Sequence, residues 1–178
     1  QLYQAAQFGN SIAEANEALR HNPRHVDALT LRGLCYFRQG MHDRALADFD
    51  SALANDDSNL AALASRSAAL LAKGEKEKAK ELADRLVSLN PQSATGHLCR
   101  ARANEAIGQP AEALADYENA VRAAPRSAVA LYRRGALRKT QGDAAGGQQD
   151  LDTALKTTPQ LKDAIVGMEL KAGMEKHV

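Results

Sequence analysis

An all-α solenoid of antiparallel helix pairs is the fold class this 178-residue sequence predicts, and three observations predict it. Gly40, Gly74, Gly108 and Gly142 are spaced 34 apart. Pro23, Pro91, Pro125 and Pro159 keep the same register, with Asp57 in the one slot where proline is missing. Small residues recur on the same period at two further places, Gly33, Ser67, Ala101 and Gly135, then Ala45, Ala79, Ala113 and Gly147. A fixed period of this length marks stacked supersecondary units, none of which can bury its apolar face alone.

The first element, within 1–25, reads as a partial unit. Ser11 followed by Glu14 has the spacing of a capping box, which predicts a helix from there to about Arg20. Four full units follow at 26–59, 60–93, 94–127 and 128–161. In each, the glycine stands where a first helix stops, because glycine reaches the left-handed conformation at little cost. The proline stands where a second helix has just ended. Gly33, Ser67, Ala101 and Gly135 fall mid-way along the first helices, opposite the small residues of the second, and their lack of bulk lets paired helices approach. Phe49, Tyr117 and Leu151 are expected to fill the space between one unit and the next, with Ala83 leaving the second unit thinner. Gly146 and Gly147 weaken the last second helix by about 1 kcal/mol each relative to Ala, which makes it the most easily frayed. The final element, 162–178, is expected to be a capping helix from Asp163 to about Lys176. Ile165, Met168 and Ala172 lie at helical spacing there, and Glu169 stands where earlier units carry a small residue, as befits a helix that shields the stack from water.

The glycine, small-residue, aromatic and proline markers at this spacing resemble the tetratricopeptide repeat family over four full units. Two departures stand out: Leu29, Leu63, His97 and Leu131 occupy a first-helix position where the family has Trp, and the opening segment is short between Gly9 and Pro23. The resemblance implies a right-handed superhelix, with first helices lining a concave groove and second helices forming the outer face. Carried over position by position, it puts Asp27, Thr30, Leu34, Phe37 and Arg38 of the first unit in the groove. The second unit contributes Ala61, Ala64, Ala68 and Leu71, the third Thr95, Leu98, Arg102 and Glu105, and the fourth Val129, Tyr132, Ala136 and Lys139. Some chaperone-binding relatives clamp a terminal carboxylate with Lys and Asn at such positions. Thr30, Leu34, Ser65, Thr95 and Cys99 stand at the matching places here, so that function is not expected. What remains is an apolar floor of Leu34, Phe37, Leu71, Leu98 and Tyr132, edged by Arg38, Arg102 and Lys139. It suits an amphipathic helix or an extended segment with some acidic character. Leu34 and Leu71 have a second reading, as packing residues between successive first helices.

Arginine recurs on the same period at Arg32, Arg66, Arg100 and Arg134, which would make a ladder for an acidic ligand if unpaired. Asp48, Asp116 and Asp150 recur on the second helices of the first, third and fourth units, so interhelical ion pairs Arg32–Asp48, Arg100–Asp116 and Arg134–Asp150 are expected instead. Leu82 takes the aspartate slot of the second unit, and Arg66 must find another partner.

Composition excludes several function classes. Lys and Arg total 23 against 22 Asp and Glu, without a long block of one sign, and nucleic-acid binding needs clustered basic charge. No apolar run approaches the roughly 20 residues that span a bilayer, so membrane insertion is not expected. Cys35 and Cys99 lie far apart in the sequence, on first helices two units distant, which fits neither a zinc knuckle nor an internal disulfide. Both read as small packing residues, Cys99 with partial exposure one turn from the groove. His21 and His25 are separated by Pro23 and share no helical face, and neither His42 nor His97 has an acidic cluster to complete it, so no metal site is expected. Nucleophile motifs, phosphate loops and dinucleotide fingerprints are absent, and neither catalytic residues nor a cofactor are expected.

The function that follows is a scaffold binding a partner peptide or helix in its groove. Two other readings stay open. One is self-association, with the floor receiving the N-terminal segment of a second copy. The other is a docking region of a larger protein, enzymatic or not, since a chain opening on Gln1 and not Met reads as a piece of something longer. A targeting signal would be lost with the missing part, so localisation stays open, with the cytoplasm preferred.

Overall fold

The computed structural model describes residues 2–162. Among them, nine α-helices run in order: α1 Leu2–His21, α2 Val26–Arg38, α3 His42–Asn55, α4 Leu60–Ala72, α5 Lys76–Leu89, α6 Ala94–Ala106, α7 Pro110–Ala123, α8 Ala128–Thr140 and α9 Ala144–Thr157. A single 3-10 turn, Pro159–Leu161, follows. The capping helix expected from Asp163 to about Lys176 lies outside the described residues.

Each helix packs most heavily on its neighbour in sequence, giving the antiparallel pairs α2–α3, α4–α5, α6–α7 and α8–α9. First helices also touch across units, α2 on α4 and α4 on α6. The turn within each pair is built the same way four times. Gly40 sits at φ 77°, Gly74 at 81°, Gly108 at 79° and Gly142 at 94°, where a side chain would be strained. The N–H of the next residue reaches back to the helix, Met41 to the Tyr36 carbonyl at 2.9 Å and Gln109 to that of Asn104 at 2.8 Å, closing a Schellman motif on the helix end.

First helices begin as uniformly. His25, Asn59, Ser93 and Ser127 accept at their side chains from the N–H groups of Ala28, Ala62, Gly96 and Ala130. These capping residues are themselves spaced 34 apart, each worth about 1 kcal/mol where it is Asn or Ser. Among the second helices only α9 has a side-chain cap, from Asp143 to the Gly146 N–H at 2.9 Å. That bond steadies the helix in which Gly146 and Gly147 lie.

The N-terminal helix departs from the capping-box expectation. α1 passes through Ser11 without a break, so Ser11 is a helix-interior residue and caps nothing. Nothing packs within reach of a Cβ at Gly9, and one glycine inside a helix costs only about 1 kcal/mol, too little to stop it here.

Small residues do what close approach requires, with one change of partner. A Cβ on Gly135 would lie 2.8 Å from the Gly147 carbonyl oxygen, and the Ser67 hydroxyl donates to the Ala79 carbonyl at 2.9 Å. Gly33 instead makes room for an aromatic ring: its Cβ would lie 2.6 Å from Phe49 Cε1. Phe49, Tyr117, Leu151 and Ala83 are all fully buried. Phe49 joins Ala45 and Ala69 of the next unit, and Tyr117 joins Ala101, Ala113 and Leu137, so both fill the seam between units. At the Ala83 seam, Leu63, Leu86 and Cys99 supply the bulk.

Candidate binding groove

The first helices α2, α4, α6 and α8 carry the groove residues expected from the sequence, and five of these, Leu34, Arg38, Leu71, Arg102 and Glu105, line two clefts. In one, of about 290 Å³, Leu71 of α4 meets Arg102, Glu105 and Ala106 of α6 and Arg133 of α8. In the other, Leu34 and Arg38 of α2 meet Phe8 of α1 and Leu31, which is 43% exposed. Leu34 and two further residues of the expected floor, Phe37 and Leu98, are half-buried. Leu34 and Phe37 pack on the Phe49 cluster, and Leu98 on the Tyr117 cluster. The Phe37 ring also lies 5.4 Å from that of His42. Tyr132 is half-buried on α8, and Asp27 is exposed in the first turn of α2.

Three residues sit otherwise than a groove edge requires. Thr30 is buried and donates its hydroxyl to the Val26 carbonyl at 2.9 Å, the bond a threonine makes to the preceding turn of its own helix. Lys139 turns toward α9, where its ammonium donates to Gln148 Oε1 at 3.0 Å. Cys99 is 9% exposed, less than expected, and burial pushes its thiol up from the ordinary range. Cys35, likewise buried and free, shifts the same way.

The groove has its own electrostatics. Arg102 and Arg133 form no hydrogen bond or ion pair among the described residues. Glu105 is committed inward, accepting from the Tyr117 hydroxyl at 2.7 Å. Burial, then Glu105, push that phenol far above its ordinary range, so it stays a donor. Arg133 was not foreseen. It falls one repeat period after Cys99, a position already marked by the family resemblance, so the same period would have found it.

The recurring arginines are structural. Arg32 makes a two-pronged bond to Asp48 at 2.8 and 2.6 Å, Arg100 to Asp116 at 2.9 and 2.7 Å, and Arg134 to Asp150 at 2.8 and 2.6 Å. Each raises its arginine's pKa further. Arg66 finds Asp50 on α3, at 2.5 Å, and so ties two units together. Asp116 also takes a bond from Asn104 Nδ2 at 3.1 Å and sits 3.2 Å from His97 Nδ1, giving that buried histidine a single acidic neighbour. His97 Nε2 lies 2.9 Å from the Pro91 carbonyl. Among the described residues no group of three or more His, Cys, Asp or Glu is placed to hold a metal, and no helix is long and apolar enough to cross a membrane.

Helix pairs of this geometry have relatives in sequence. The profile described as Tetratricopeptide repeat matches residues 2–60, 38–94 and 65–128, more than half of the chain. The chain belongs to the tetratricopeptide repeat family. Among solved structures, this tetratricopeptide repeat chain is similar to TTC0263, a thermophilic TPR protein of Thermus thermophilus, with a TM-score of 0.81 at 21% identity over 95% of this chain and 92% of that one. It is similar also to MamA, with a TM-score of 0.68 at 19% identity over 89% and 92%. YrrB, described as a TPR protein with an unusual peptide-binding site, gives 0.64 at 20% over 94% and 87%. At such identities the likeness is one of fold. No curated protein matches in sequence. Tetratricopeptide repeats are typically non-catalytic scaffolds that mediate protein–protein interactions.

Proposed function

We propose that the chain holds a partner polypeptide along its first helices, and that the bound segment sets acidic side chains beside apolar ones. The observation that carries this is the cleft of Leu71, Arg102 and Arg133, where two guanidinium groups without carboxylate partners flank an apolar surface. Elsewhere the chain pairs its recurring arginines with aspartates, whereas Arg102 and Arg133 keep their charge beside a leucine, as Arg38 does beside Leu31 and Leu34 in the other cleft. A guanidinium fork matches a carboxylate in shape and charge, and the half-buried Leu98 and Tyr132 are the further apolar residues offered to the same segment. The peptide-binding description of YrrB makes a peptide a sensible class of ligand to offer it.

Selection from a random peptide library should therefore enrich segments with Asp or Glu next to Leu, Ile or Phe. Reversing both groove charges, Arg102→Glu with Arg133→Glu, should weaken the selected peptides by about tenfold per arginine, with the loss shrinking at high salt. The control is Arg122→Glu, whose arginine is exposed beside Asn119 on α7. Peptides that bind the double variant as well as the wild type would move the site elsewhere. Phe37→Glu with Tyr132→Glu tests the apolar part of the surface in the same assay.

A further inference from the structure

Asp84 of α5, Asn104 of α6 and Asp116 of α7 line a furrow of about 340 Å³ between α5 and α7, floored by α6. This furrow is not the groove. On α6, Arg100 and Asn104 lie about half a turn of helix away from Leu98, Arg102 and Glu105, so the two sets face opposite sides.

The chain contains the same arrangement one unit later, filled. Arg138 stands one repeat period after Asn104, Asp150 after Asp116 and Glu118 after Asp84. The Arg138 guanidinium spans the two helices, donating from Nη1 to Asp150 Oδ2 at 3.1 Å and from Nη2 to Glu118 Oε1 at 3.2 Å, with Nε 3.8 Å from Asp143. In the third unit both carboxylates remain, but the residue between them is shorter and neutral. Asn104 Nδ2 takes over the bond to Asp116 Oδ2, at 3.1 Å. That bond fixes the amide, because the reverse orientation would set oxygen against carboxylate. Asn104 Oδ1 is then left without any hydrogen-bond partner, in a side chain only 3% exposed. A buried acceptor in this position has no donor among the described residues. At the rim, exposed Glu112 forms no hydrogen bond or ion pair among the described residues.

We propose that this furrow is a seat for the guanidinium of an arginine side chain presented by a partner polypeptide. It would donate to Asn104 Oδ1 and Asp84 as Arg138 donates to Asp150 and Glu118, with Glu112 closing over it. Acceptors on different helices call for a fork of several donors, which arginine has and lysine lacks. The chain's own Lys80 meets only part of the need: its ammonium reaches Asp84 Oδ2 at 2.7 Å and leaves Asn104 Oδ1 unmet. Leu114 occupies the Lys80 position where the seat is filled from within.

The test is a titration of the isotope-labelled chain with a capped Ala-Arg-Ala peptide and its Ala-Lys-Ala counterpart, following the side-chain amide of Asn104 by NMR. The arginine peptide should shift that amide saturably, at millimolar concentration, and the lysine peptide should bind about tenfold more weakly. Lys80→Leu should tighten binding of the arginine peptide. Asn104→Arg should fill the seat from within, raise the thermal midpoint and abolish the response of the neighbouring α5 and α7 amides. Asp84→Asn, at a half-exposed position, should weaken binding without threatening the fold and serves if Asn104→Arg does not fold. An unmoved Asn104 amide, equal binding of the two peptides, or undiminished binding by Asp84→Asn would overturn the proposal. Because no groove residue is involved, these outcomes are independent of the Arg102→Glu, Arg133→Glu result.

Discussion

Between α4 and α5, beside the one Ser67 hydroxyl bond, the interior holds Leu63, Leu70, Ala83 and Leu86, with Leu82 at the edge. The same five positions between α6 and α7 hold His97, Asn104, Tyr117, Ala120 and Asp116. Both pairs have the same helix lengths and the same glycine turn. An apolar interior and a hydrogen-bonded one thus fit a single backbone frame. The two differ in how they fail. An apolar interior loses stability in proportion to the surface removed, whereas a buried polar set depends on the completeness of its bonds, since one missing acceptor strands several donors.

The largest expected effect comes from that acceptor. Asp116→Ala should destabilise the chain by about 3–5 kcal/mol, because it strands the buried Asn104 and His97 together and leaves Arg100 only the more distant Asp84. Leu82→Ala, the matching change at a half-buried position in the apolar pair, should cost about 1–2 kcal/mol. Urea unfolding followed by helical circular dichroism measures both, and equal losses would break the comparison. Gly135→Ala comes next, at about 1–3 kcal/mol, since its Cβ would meet the backbone oxygen of Gly147 at 2.8 Å. Ser67 and Ala101 fill that slot in α4–α5 and α6–α7, so a neutral result would mean the α8–α9 pair can open to match them. The smallest effect is expected from the largest substitution. Replacing the polar set by its counterparts, His97→Leu, Asn104→Leu and Asp116→Leu together, should leave stability within about 2 kcal/mol of the wild type. Arg100 already lies 3.7 Å from Asp84, one period after the Asp50 that Arg66 uses, and can settle there. A loss as large as that of Asp116→Ala would show that the frame does not accept both interiors.

Much of this frame was legible beforehand because it is periodic. The glycine turns, the close-packed small residues and three of four arginine partners follow from residues that recur. The helix caps at Asn59, Ser93 and Ser127 carried the same signal and went unread, although Asn and Ser are the residues expected there. Other features belong to single positions. Neither the His97 bond to Asp116 nor the inward commitment of Glu105 to Tyr117 has a periodic counterpart. Which side of a helix finds a partner depends there on geometry across two neighbours. The straight run of α1 through Ser11 is a local signal overridden by continued helix, a contest that spacing alone does not decide.

Contacts here concentrate between helices one or two places apart in the chain. Ordering one pair therefore closes only short loops, and the search for native contacts is local, which places folding among the fast, low-contact-order class. During synthesis the same arrangement lets each helix pair settle on the one before it as soon as it emerges, with no early segment kept waiting for a late partner. Surface left exposed at any moment is then limited to the growing end of the stack.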